Sequence, residues 1–135
     1  MSVKIIEIIE NLPDLLSLKP ARDKDIKAAE LKLNLKFAED YIAYIKKFGA
    51  ISFKGSELTG VVDAPRLNVV NATLKERELN KSLSLNKELY VIESLGIEGV
   101  LILQNAKGEI FELKVNGEPE KIFDNLGEYL CRRKD

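Results

Sequence analysis

The spacing of apolar residues changes character near Ile51. Before it, apolar positions fall three and four apart. Ile5, Ile8, Ile9 and Leu12 share one face of a first helix that Ser2 can cap and Pro13 ends. Leu15 to Arg22 contains Pro20 and reads as a connector. Asp23 or Asp25 can cap a second helix that buries Ile26, Ala29 and Leu33. Tyr41, Ile42, Ile45 and Phe48 define a third helix from about Ala38 to Phe48, with Gly49 suited to the positive φ of its C-terminal cap.

From Ile51 onward short β-type runs take over. Ile51-Ser52-Phe53 and Leu58-Thr59-Gly60-Val61 flank the turn residues Lys54-Gly55-Ser56 and predict a hairpin. Val70, Thr73, Leu74 and Arg77 return to helical spacing between Asn68 and about Leu79, with Asn68 or Asn71 as the cap. Three strands follow at Glu88 to Glu93, Val100 to Gln104 and Glu109 to Val115, joined by turns at Gly96-Ile97-Glu98-Gly99 and Asn105-Ala106-Lys107-Gly108. Asn116-Gly117 is a two-residue hairpin signal, so Glu120 to Phe123 is expected to return as an edge strand before Asp124 caps a last helix burying Leu126, Tyr129 and Leu130.

Helices, a hairpin, a helix, a meander and a final helix, with short strand connections, predict one α+β domain over residues 1–135. The expectation is an antiparallel meander sheet of about five to six strands with helices packed mainly on one face. Val100-Leu101-Ile102-Leu103 is apolar at every position, as in a central strand. Nothing in the chain repeats, and no linker divides it.

Composition narrows the chemistry. The chain has no histidine and one cysteine, which removes Ser-His and Cys-His nucleophile pairs and the usual zinc ligand sets. No phosphate-binding glycine loop occurs, so no metal and no cofactor is expected. Twenty-one basic against 22 acidic residues leave a net charge of -1, a poor match for nucleic acid. Arg132-Arg133-Lys134 reads as the complement of a helix C-terminus. Gly96-Ile97-Glu98-Gly99 has the outline of an RNA-clamping GxxG, but it lies between strands and carries an acid, so it reads as a turn. No apolar run is long enough to span a bilayer and no secretory leader is evident, so a cytosolic location is expected, in keeping with Cys131 as a lone thiol.

The segment from Ile26 to Gly60 carries a family likeness. Ile26, Ala29-Glu30 and Leu33 look like the first motif helix of the SUKH superfamily. Asp40-Tyr41-Ile42 through Lys47-Phe48-Gly49 resembles its D-Y-x-x-F-hydrophobic-x-x-F/N-G segment, and Glu57-Leu58-Thr59-Gly60 resembles the strand after it. Val69-Val70 with Thr73 and Arg77, then Leu89 to Ile92, Gly99 to Leu103, Gly108 to Phe111 and Leu126 to Leu130, are similar to its later elements. The chain departs from the pattern at Phe37-Ala38, usually Leu-Pro, at Gly49-Ala50, often Gly-Gly, and in lacking tryptophan.

That superfamily includes the fungal Smi and Knr cell-wall regulators and many bacterial immunity proteins. The resemblance implies a non-catalytic protein-binding domain, and for a bacterial protein of this type an immunity protein that neutralises a polymorphic, nuclease-type toxin. A toxin that handles nucleic acid presents a basic surface, for which acids are the natural complement. The candidate contacts are Glu57, Asp63, Glu93, Glu98 and Glu112. Two other readings stand beside this one: a housekeeping interaction module of the Smi and Knr type, and a carboxylate hydrolase, which requires a deep pocket with two convergent acids.

Overall fold

A computed structural model describes residues 2–96 and 99–133, leaving the side chains of Ser2 and Val3 outside the description. The expected cap by Ser2, the tip of the turn at Ile97-Glu98, and Lys134 therefore lie outside the described part. In chain order the elements are α1 (Ser2–Glu10), β1 (Leu16–Ser17), α2 (Asp23–Leu33), α3 (Glu39–Phe48), β2 (Ile51–Phe53) and β3 (Ser56–Leu58). A single 3-10 turn at Pro65–Leu67 precedes α4 (Val69–Leu79), α5 (Lys81–Leu85), β4 (Tyr90–Leu95), β5 (Val100–Gln104), β6 (Ile110–Leu113), β7 (Glu120–Phe123) and α6 (Leu126–Arg133). The α+β class stands.

The strands form two antiparallel sheets, β1-β2-β3 and β4-β5-β6-β7, where the sequence led us to expect one meander. The hairpin is joined to the meander at Thr59, whose N–H donates to the Ile92 carbonyl at 2.9 Å. Ile92 is itself the extra residue where the β4 register shifts between Val91 and Glu93, a bulge of the kind that bends a strand locally.

Strand β5 is buried along its whole length, so both faces of the larger sheet must be covered. Val100 and Ile102 point into the larger core with Ile9, Leu33, Tyr41, Ile45 and Leu130. Leu101 and Leu103 point into a smaller one with Leu83, Leu89, Val91 and Leu113. Helices thus lie mainly on one face, and α5, which the sequence did not announce, brings fully buried Leu83 to the other.

Caps explain where several helices begin. Asn68 accepts from the N–H groups of Val70 and Asn71, as expected. Asp23 and Asp25 do not cap α2: its N-cap is Arg22, without a side-chain capping bond, and the two acids sit in the first turn, where they face the positive end of the helix dipole. Asp124 is not the cap of α6 either. Asn125 Oδ1 accepts from the Glu128 N–H at 2.9 Å, while Asp124 pairs with Lys121. Asp40 on α3 contributes more: its carboxylate accepts from the Leu126 N–H at 2.9 Å and from Gln104 at 3.0 Å, tying α6 and β5 to α3. The β6–β7 connection is also wider than a two-residue turn, although Asn116 does take a positive φ of 61° within it.

Two glycines are required by close approach. Gly49 has φ +75°, and a Cβ there would sit 2.1 Å from the Lys19 carbonyl oxygen. A Cβ on Gly60 would sit 1.6 Å from the Gly49 carbonyl oxygen, so the end of α3 and the segment that follows β3 cross backbone to backbone. Three fully buried tyrosines bond the backbone and side chains around α3. Tyr44 donates to the Thr59 carbonyl at 2.8 Å and accepts from the Ile51 N–H at 3.2 Å. Thr59 Oγ1 donates to the Val91 carbonyl at 2.8 Å, so its single proton is used and Tyr41 must donate to it, at 2.9 Å. Tyr90 accepts from the Ala38 N–H and donates to Gln104.

Candidate partner-binding cleft

A cleft of about 580 Å³ lies between the edge strands β3 and β4 of the two sheets. Gly55, Glu57 and Thr59 line one wall, and Val91, Glu93, Ser94, Leu95 and Gly96 the other. Arg66, Leu67, Ala72 and Arg133 complete it.

Backbone geometry decides what the walls present. Lys54 (φ 47°) and Gly55 (φ 79°) make a two-residue turn of the type that suits a tight hairpin, closed by the pair Phe53 and Ser56. Antiparallel residues alternate between facing their partner strand and facing away. Glu57 and Thr59 therefore turn their N–H and C=O groups away from β2, and the Thr59 bond to Ile92 agrees. On β4, Val91 faces away from β5, since its N–H donates to Thr73 Oγ1 and its carbonyl accepts from Thr59. Counting on through the bulge, Glu93 pairs with Ile102 and Ser94 with Leu101, so Ser94 is the next residue to face outward. The backbones of Glu57 and Ser94 thus confront each other across the cleft.

Side chains carry charge into the same space. Glu93 is 2% exposed, and the bulge is the reason: it puts Glu93 opposite Ile102 and hence on the face covered by α6. A carboxylate there needs partners. Tyr129 donates its hydroxyl to Glu93, and Arg133 Nη2 lies 3.1 Å from Glu93 Oε2 while also bonding Ser56 Oγ. Arg133 therefore ties β3 to β4 beneath the cleft. The hydrogen bond to Glu93 holds its guanidinium above the usual arginine range, and burial followed by the Glu93 charge pushes the Tyr129 hydroxyl well up. At the rim Arg66 pairs with Glu57, whose carboxylate raises the arginine in the same way.

Of the five acids expected to meet a partner, the four that are described do not form one patch. Glu57 and Glu93 share the cleft, but each is engaged by an arginine, and Glu93 is a buried structural acid instead of a surface one. Asp63 is exposed beside a separate depression with Arg22 and Asp25. Glu112 lies on β6, paired across to Ile102 and 3.8 Å from Lys114. Glu98 lies outside the described residues. The sequence reading missed Arg66 and Ser94, and took Arg133 only as the complement of a helix C-terminus. A glutamate ending the apolar run Tyr90-Val91-Ile92 was a usable signal, because a buried acid requires a cation. Among the described residues no group of three or more potential metal-ligating side chains comes together.

Comparison with known families agrees with this architecture. The SUKH_5 model, described as SMI1-KNR4 cell-wall, matches residues 3–133. The chain belongs to this family. No curated protein matches it. Within the SMI1-KNR4 frame, the residues that carried the likeness prove to be scaffold: Asp40 anchors α6, Tyr41 and Thr59 bond the core, and Gly49 and Gly60 allow the backbone crossing.

Proposed function

We propose that the protein works by binding another protein and not by catalysis, and that it is a bacterial immunity protein acting in the cytosol on a basic, nuclease-type toxin domain. The observation that carries this reading is the cleft itself. Its two carboxylates are each committed to an arginine, an arrangement suited to a recognition surface and poor for a pair of acid and base groups. The family match supports the domain kind, and no helix among the described residues is long and apolar enough to cross a membrane. Exposed Asp63 and half-buried Glu112 are the acids left to meet basic groups of a partner. The test is co-expression with the toxin domain encoded beside the gene, followed by calorimetry of the purified pair. Survival and binding are expected; neither rescue nor binding defeats the immunity reading.

The cell-wall description of the matched family favours a second reading, an interaction module for a cellular protein. Its signature is capture of the same cellular protein from cells that lack any toxin gene.

A further inference from the structure

We infer that the cleft between β3 and β4 accepts an extended segment of a protein partner as an added strand, a proposal that rests on the binding-domain reading above. Both walls are sheet edges: β3 ends the smaller sheet and β4 ends the larger. Edges present backbone donors and acceptors in the pattern that an incoming strand requires. Here Glu57 and Ser94 turn theirs toward the same space, one ladder step past the bond from Thr59 to Ile92. At about 580 Å³ the cleft falls within the roughly 300–1,000 Å³ of ordinary ligand sites.

The walls also specify the kind of segment. Half-buried Leu67 and Ala72 make one side apolar, while half-buried Arg133, seated on buried Glu93, makes the α6 side polar. Successive side chains of a strand point to opposite faces. The fitting occupant is therefore an extended stretch that alternates small apolar with polar side chains, the polar ones turned toward Arg133. Arg133 holds Ser56 and Glu93 together below the opening, so the walls are fixed before a partner arrives.

The test uses the intact domain and random dodecapeptides displayed on phage. Retained peptides are synthesised and titrated against the wild type, Ser94→Ala and Ser94→Pro. Proline removes the outward N–H of Ser94 and also fixes its φ, and alternation from Val91 places that N–H away from the ladder with β5. The expected result is binding that weakens about tenfold in Ser94→Pro and is unchanged in Ser94→Ala, the scale of one lost hydrogen bond. Amide exchange of Glu57 and Ser94 should slow when peptide is added. The proposal is overturned if no peptide is retained, if Ser94→Pro binds as tightly as wild type, or if protection maps elsewhere. Should Ser94→Pro fail to fold, exchange on the unaltered protein decides alone. The screen contains no toxin, so its failure alongside toxin rescue removes only strand addition, and failed rescue alongside retained peptides removes only the immunity reading.

Discussion

Arg133 Nη2 sits 3.1 Å from Glu93 Oε2, joining the last turn of α6 to an edge strand that would otherwise hold a buried, uncompensated acid. Removing one partner of such a pair costs more than removing both, because the survivor keeps its desolvation penalty without its counter-ion. Arg133→Ala should therefore destabilise the domain by about 3–5 kcal/mol in urea denaturation. The double variant Glu93→Leu/Arg133→Met should lose less than Arg133→Ala alone. Equal losses would show that the pair contributes packing and no charge compensation.

Alkaline stability should be set by the tyrosines. All four are raised: Tyr41, Tyr44 and Tyr90 chiefly by burial, and Tyr129 by burial and then by Glu93. In the unfolded chain each ionises near its ordinary value of about 10. Below that pH both states are protonated and the full stability is present. Above it only the unfolded state releases protons, so stability falls as pH rises toward the folded values. Tyrosinate absorbance is expected to stay flat up to about pH 10 and then to appear together with loss of circular dichroism. Tyrosinate forming in the still-folded protein would contradict the buried network.

The glycines give a graded test of the backbone crossing. Gly60→Ala forces a methyl into the Gly49 carbonyl, and a loss of about 3 kcal/mol or more is expected, at the upper end for overpacking. Gly55→Ala meets no atom within 4 Å and suffers only from its φ of +79°, so about 1–2 kcal/mol is expected. Thermal or chemical denaturation that reversed this order would show that the crossing can relax.

The long elements were legible because each spans enough residues to show a period, as α3 does with Tyr41, Ile45 and Phe48. Two-residue β1, with Leu16 70% exposed, and five-residue α5 carry no period to read. The cleft was hidden for a sharper reason. Read as a regular strand, Tyr90-Val91-Ile92-Glu93 puts Glu93 beside Val91 on one face, whereas the bulge inserts one residue and turns Glu93 to the face of Ile102 and α6. No glycine or proline marks that insertion. Arg133 was likewise visible as a cation near a helix end, but its acid partner lies 40 residues earlier and only the fold brings them together.

Charge reversal tests the electrostatic part of the proposed function. Asp63 and Glu112 lie outside the cleft and neither is buried in the core, so Asp63→Lys/Glu112→Lys, which also ends the contact of Glu112 with Lys114, should lower the unfolding free energy by no more than about 1 kcal/mol. Against a basic toxin domain the double variant should associate more slowly, and the difference should shrink as salt rises, since steering between exposed charges is screened over about 10 Å at 0.1 M. Dissociation should change little, because rim charges act mainly on encounter. Stopped-flow association at several salt concentrations separates these effects. Arg66→Glu supplies the opposite sign at the cleft rim, where the side chain is 71% exposed, and should quicken encounter with the same partner. If Arg66→Glu slows association and the acid reversals quicken it, the partner presents a negative surface, and a basic nuclease-type toxin is the wrong class.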